Sequence, residues 1–335
     1  MTALLAPLGA VFGGATALRA ALYRRGVFAR TRLRSPVISV GNLAVGGRGK
    51  TPLVELVATL LRDAGRSVAV LSRGYGGAFR GELLVVGDGT RVLAEAAEAG
   101  DEPVMLARAL PGVVVAVGRD RVRAGRALEA ALGPRVFVLD DGFQHLRLER
   151  DLDIVCVDAG DLRARPLPAG TLRERPSALS RAHLIAVSGE DEDDARAAAD
   201  ALSQRFGPAC VVRVRRRPSG FFDLAGAPAP APARAFLLTG IARPERVATD
   251  LAAQGTTVTG HAAFADHHRF RPEEMESALR QAEKSGADAV VTTAKDAVRL
   301  PLAKSAPPVL VWRVRCVVDD EAGFRARLLA VGGGA

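Results

Sequence analysis

Residues 41–51 read GNLAVGGRGKT and close on Gly49-Lys50-Thr51. These residue types in this order suit a nucleotide phosphate. Glycines let the backbone approach and take φ > 0, and successive N–H groups point at the anion. Lysine reaches the outer phosphates, and the threonine hydroxyl holds Mg²⁺. The pattern G-x-x-x-x-G-K-[ST] asks for glycine at 44, where the chain has Ala44, and Gly46 and Gly47 precede Gly49 instead. Such a loop needs a carboxylate for the metal. The apolar run Val136 to Leu139 ends in Asp140-Asp141, the form of a buried strand delivering acid to a metal–nucleotide site. A turn with Gly142 is the plainer reading of that pair.

Three further constellations carry chemistry. Asp101, in Gly100-Asp101-Glu102-Pro103, either caps the helix that follows or serves as a base. FADHHRF at 264–270 holds two of the five histidines. No cysteine or spaced histidine completes a metal site there, but Asp–His pairing can deprotonate an acceptor hydroxyl. VGRDR at 117–121 and RPLPAGTLRE at 165–174 are basic loops at strand ends, either ligand-binding or simple surface charge.

The elements that must position these groups alternate strand and helix. Val37–Val40, Ser67–Leu71, Val113–Val117, Val136–Leu139, Ile154–Val157 and Leu184–Val187 read as buried strands, with helices such as Pro52–Ala64 and Arg121–Leu132 between them. This predicts an α/β fold with a parallel sheet covered on both faces. The Pro-Ala alternation of 224–235 predicts a linker, and a second, smaller strand–helix alternation follows over 236–335. The expected organisation is an N-terminal segment 1–34, a phosphate-loop domain 35–223, the linker, and a smaller α/β domain. EDEDD at 190–194 reads as a solvated capping turn.

The first 18 residues carry no charge, and the first acid is Glu55. Leu4, Leu8, Val11, Ala15, Leu18 and Leu22 recur at helical spacing, and arginines 19, 24, 25, 30, 32 and 34 follow. Pro7, Gly9, Gly13 and Gly14 weaken a membrane span, and a signal peptide would place its charge first. A helix lying in the membrane interface with arginines on anionic headgroups, or an ordinary core-packing helix, remain. The net charge of +9 comes with only three tyrosine or tryptophan residues, too few for nucleic-acid stacking platforms. Cys156, Cys210 and Cys316 form no C-x-x-C pair, so neither a disulfide framework nor a zinc site is expected.

The succession GNLAVGGRGKTP, SRGYGG, GDEP, VGRDR, LDDGFQH, LPAGTLRE, GIARPERV, FADHHRF and TTAKDAVRL resembles the tetraacyldisaccharide 4′-kinase family of lipid A biosynthesis, over about residues 36–300. The resemblance implies transfer of the ATP γ-phosphate to the 4′-hydroxyl of a tetraacylated disaccharide 1-phosphate. It implies a P-loop NTPase-like domain, a smaller α/β domain, and a peripheral enzyme held by its N-terminal helix on the cytoplasmic face of the inner membrane. It calls for no obligate protein partner. Carried over, Gly46, Gly47, Gly49, Lys50 and Thr51 hold nucleotide, and Thr51, Asp140 and Asp141 lie at the metal. Asp101 is the base, partnered by His267. Tyr75, Arg119, Gln144, Arg173 and Glu174 fall on the acceptor side. Three positions depart from the family pattern: Ala44 for serine, Ala265 for proline and Ala294 for glutamate. The first is expected to cost one hydroxyl near phosphate.

Other functions compete. Positioning ATPases of the MinD and ParA type place a lysine where this chain has Val45. A GTP switch would need N/T-K-x-D, which Ala294-Lys295-Asp296-Ala297 lacks. A soluble small-molecule kinase would make the N-terminal stripe mere packing.

Overall fold

The computed structural model describes residues 5–46, 49–189, 191–301 and 306–332. Among them run β1 (Val37–Asn42), β2 (Val68–Ser72), β3 (Leu84–Gly87), β4 (Val114–Val117), β5 (Val136–Asp140), β6 (Leu152–Asp158), β7 (Leu184–Ser188), β8 (Val211–Phe222), β9 (Pro228–Ala229), β10 (Arg234–Thr239), β11 (Thr257–Ala263), β12 (Ala289–Thr293) and β13 (Val309–Val318). They join edge to edge as β11-β10-β12-β13-β8-β7-β6-β1-β5-β2-β4-β3, with β9 on β8. The fold is α/β with a mostly parallel sheet, as the strand–helix alternation predicts. Strands β1, β2, β4 and β5 are buried on both faces, which is why they read as unbroken apolar runs.

β8 connects the two parts of the sheet. Its first residues pair parallel with β7, and the rest pair antiparallel with β13. This strand escapes sequence reading because VVRVRRRPSGFF is arginine-rich and contains Pro218. The proline sits at a register shift opposite Val314, where the ladder does not need its missing N–H. The chain end then crosses back. Phe324 and Leu328 of the helix Glu321–Ala330 join the same buried cluster as Leu53, Val54, Val57 and Leu61 of the helix Lys50–Asp63.

The helix Ala6–Arg24 seats its small residues inward: Gly9, Gly13 and Ala20 are buried. A Cβ on Gly9 would stand 2.9 Å from the Ala169 Cβ and the Pro166 carbonyl, and one on Gly13 would stand 2.8 Å from Arg175 Nε. The opposite stripe faces outward, with Leu8, Val11 and Leu18 exposed at 57, 70 and 61%. That excludes the core-packing reading for this stripe. Leu4 lies outside the described residues. Among the described residues, no helix is long and apolar enough to cross a membrane.

Candidate active site

The phosphate-loop motif joins β1 to the helix Lys50–Asp63. Gly46 and Gly49 take φ of 98° and 74°, conformations that disfavour any side chain. Gly47 lies outside the described residues. Gly41 is required for another reason: a Cβ there would come within 2.5 Å of the Phe143 Cβ and 2.7 Å of its backbone N. The glycine absent at 44 has a local explanation. Ala44 is fully buried in one cluster with Leu43, Phe143 and Leu172 and bridges Leu172. The methyl of Ala44 is part of this core.

LPAGTLRE buttresses this loop. Val45 N donates to the Thr171 carbonyl at 2.8 Å, and Arg173 N to the Leu43 carbonyl at 2.6 Å. LDDGFQH closes the other side. Gln144 Nε2 donates to the Asn42 carbonyl at 3.0 Å and to Glu174 Oε1 at 3.1 Å. Arg181 pairs with Glu174 at 2.9 Å and lies over the Phe143 ring. Three motifs distant in sequence thus meet at the C-terminal ends of β1 and β5, where open α/β sheets bind ligands.

The two adjacent aspartates differ sharply. Asp141, with φ of 57°, turns its carboxylate toward Lys50 Nζ at 2.8 Å and Arg173 Nη1 at 2.7 Å. Burial would raise its pKa, but the two cations outweigh that and hold it below the usual range. Asp140 is buried, and its Oδ2 accepts from Ser72 Oγ at 3.0 Å. Burial first, and then the nearby Glu102 charge, push its carboxyl up to about 7. Asp140 Oδ1 is buried with no hydrogen-bond partner. An orphaned carboxylate oxygen of this kind fits a hard divalent cation. Thr51 lies on the first turn of the helix Lys50–Asp63.

A second cluster brings both halves of the chain together. Asp101 opens the helix Asp101–Ala109, while His267 occupies a left-handed turn position at φ 63°. His267 Nδ1 lies 2.9 Å from Asp101 Oδ2. Lys295 Nζ lies 3.3 Å from His267 Nε2 and 3.1 Å from Asp266. A lysine donating to Nε2 leaves the ring hydrogen on Nδ1, where it donates to Asp101. The turn closes by His268 N to the Ala265 carbonyl at 3.1 Å, without the family's proline. His268 is structural: it stacks on Phe264 and binds Glu274 at 2.8 Å. Behind the pair, Arg299 reaches Asp101 Oδ2 at 3.5 Å and pairs with the buried Asp296.

Tyr75 is 77% exposed, with its ring 6.5 Å from that of His267. Its loop is drawn tight by glycines: a Cβ on Gly100 would meet the Tyr75 carbonyl at 2.5 Å. Arg119 is exposed, and its side chain takes part in none of these contacts. Its neighbour Arg121 is the buried one and donates to the Asp141 carbonyl at 3.4 Å. Sequence reasoning passed over Arg121, Glu102, Lys295, Asp296 and Arg299. The TTAKDAVRL motif held a signal for the last three, because a Lys-Asp pair and an arginine at one helical turn lie in one short segment.

Residues 1–332 match the family model for tetraacyldisaccharide-1-P 4′-kinase. The chain belongs to this family. The tetraacyldisaccharide 4′-kinase of Geobacter metallireducens is 43% identical over 304 residues, 89% of this chain and 88% of that protein. That of Anaeromyxobacter sp. strain Fw109-5 is 47% identical over 319 residues, covering 92% and 85%. A crystal structure of the Aquifex aeolicus LpxK protein in complex with ATP superposes with a TM-score of 0.81, at 30% identity and over 98% of each chain. Membership of this family disfavours the positioning ATPase, the GTP switch and the small-molecule kinase together.

Proposed function

We propose that this chain transfers the γ-phosphate of ATP to the 4′-hydroxyl of a tetraacyldisaccharide 1-phosphate, with Asp101 as the base and His267 as its partner. The observation that carries the reading is the 2.9 Å contact between Asp101 and His267, in a chain whose phosphate loop also pairs Lys50 with Asp141 at 2.8 Å. Lys50 and Arg173, held on one carboxylate, present positive charge to the phosphates, and the amides around Gly46 and Gly49 cradle them. Thr51, Asp140 and Asp141 would hold Mg²⁺, which when bound offsets charge on the β- and γ-phosphate oxygens. Asp101 takes the proton of the attacking hydroxyl. Tyr75 and His267 cover it, limiting the water that would otherwise hydrolyse ATP. Gln144, Arg173 and Glu174 stand on the acceptor side of the loop, and exposed Arg119 is free to meet the acceptor.

The outward stripe Leu8, Val11 and Leu18 supports a membrane-lying N-terminal helix, and ATP as the donor would put that helix on the cytoplasmic face of the inner membrane. Its inner face packs on 166–175, the segment carrying Arg173 and Glu174. Acyl chains resting along the stripe thereby leave the sugar within reach of the loop. Incubating the protein with ATP, Mg²⁺ and the lipid acceptor should yield a phosphorylated lipid, and no product would defeat the reaction. Asp101→Ala should slow turnover by roughly 10²- to 10⁴-fold; near-normal turnover would defeat the base.

A further inference from the structure

Both partners of the Asp101 carboxylate fall on one oxygen. His267 Nδ1 is 2.9 Å from Oδ2, and Arg299 Nη1 stands 3.5 Å from the same oxygen as an ion pair without a hydrogen bond; among the described residues no hydrogen bond falls on Oδ1. Arg299 is itself fixed. Its side chain is 3% exposed, and its other terminal nitrogen binds the fully buried Asp296 and the Gly240 carbonyl, the latter at 3.1 Å. Asp296 is clamped in turn by Thr293, whose hydroxyl donates to it at 2.8 Å. A reciprocal contact runs the other way, from Arg108 on the Asp101 helix to the Ala297 carbonyl at 3.2 Å. A buried guanidinium held this firmly has few other orientations to offer the carboxylate.

Building on the reading of Asp101 as base, we propose that Arg299 is a positioning residue for proton transfer. With His267 it occupies Oδ2 and so presents Oδ1 to the acceptor hydroxyl. The acceptor O–H bond breaks and its proton passes to Oδ1. The oxygen bonds to the γ-phosphorus, and the bond from that phosphorus to the β-phosphate oxygen breaks, its electron pair leaving with ADP. Arg299 takes no proton and touches no substrate.

The test is a comparison of kinetics in two backgrounds, wild-type and Asp101→Ala, on the full chain with lipid acceptor. In the first, Arg299→Met should lower kcat by roughly 10²-fold, the scale of a misplaced reacting group, and leave both KM values within about twofold. Arg299→Lys should recover about tenfold of that loss, because it restores the charge without the fork. In the Asp101→Ala background the same Arg299→Met change should cost less than about twofold, since the group it positions is gone. Equal losses in both backgrounds, or a change confined to KM, would overturn the proposal. Arg299→Met strands the buried Asp296, so Asp296→Asn/Arg299→Met repeats the comparison with both charges removed. If neither variant folds, Arg299 is a folding residue only and the proposal fails. Wild-type turnover in Asp101→Ala alone would instead defeat the base assignment, whatever Arg299 does.

Discussion

Asp140 and Asp141 are neighbours of one residue type, yet their surroundings drive them apart, one deeply buried near the Glu102 charge and one held between two cations. Lys50, Thr51 and the aspartate pair stood out in the sequence as candidates because their motifs state both residue type and local spacing, whereas Asp101 and His267 were singled out through the family resemblance. For Arg299 and Lys295 only the local Lys-Asp-Arg spacing was visible, since Asp101 and His267 reach them from distant segments, and Glu102 carried no local signal. His145 of LDDGFQH shows the same tertiary effect. Burial first, and then the charge of Arg121, push its pKa down from 6.5 to about 4. Between those values the unfolded chain binds more protons than the folded one, so stability falls as pH drops from 6.5 toward 4. Urea denaturation of His145→Gln should lose much of that acid-side slope and match wild-type slope above pH 7. An unchanged slope would remove His145 from the account. Gly41→Ala tests the close approach beneath the loop. Forcing a methyl against Phe143 should cost about 1–3 kcal/mol, read from the urea midpoint, and a neutral result would contradict the packing.

At the scale of elements, periodicity exposed the N-terminal apolar stripe but not which face the body of the protein takes. Glycines at 9 and 13 decide that, because they let the helix lie against Pro166, Ala169 and Arg175 while the leucines stay outside. β8 was hidden for the converse reason: its arginines face solvent or acids such as Asp319 and Glu192, so no apolar alternation marks it. If the stripe rests in the interface, Leu8→Ser/Val11→Ser/Leu18→Ser should weaken cosedimentation with anionic vesicles by at least about tenfold, since each buried side chain is worth roughly 1.5–3 kcal/mol. The melting temperature should not fall, because these side chains are exposed in the folded chain. Undiminished vesicle binding would place the anchor elsewhere.

At the scale of the whole molecule, strand–helix alternation revealed the two runs of α/β structure but not their union in one sheet. That union depends on β8 pairing in both directions and on the chain end folding back over the phosphate-loop helix. Both are long-range events that no local pattern encodes. Contacts between the halves, such as Arg108 to the Ala297 carbonyl and Arg299 to Asp101, stand beside the pairing of Asp101 with His267. The chain end is where this continuity can be tested. Phe324 is 1% exposed and shares a cluster with Leu53 and Val57, close behind Lys50 and Thr51. Phe324→Ala should cost about 3–5 kcal/mol, the usual range for emptying a buried aromatic site. Because the cluster spans β1, the phosphate-loop helix and the C-terminal helix, that cost should appear in one cooperative transition. Unfolding followed by circular dichroism and by Trp312 fluorescence reports on it, the tryptophan lying in the other half's core. Coincident shifts of both signals are expected. A shift in circular dichroism that leaves the Trp312 transition in place would mean that the two halves unfold independently and that the continuous sheet does not couple them.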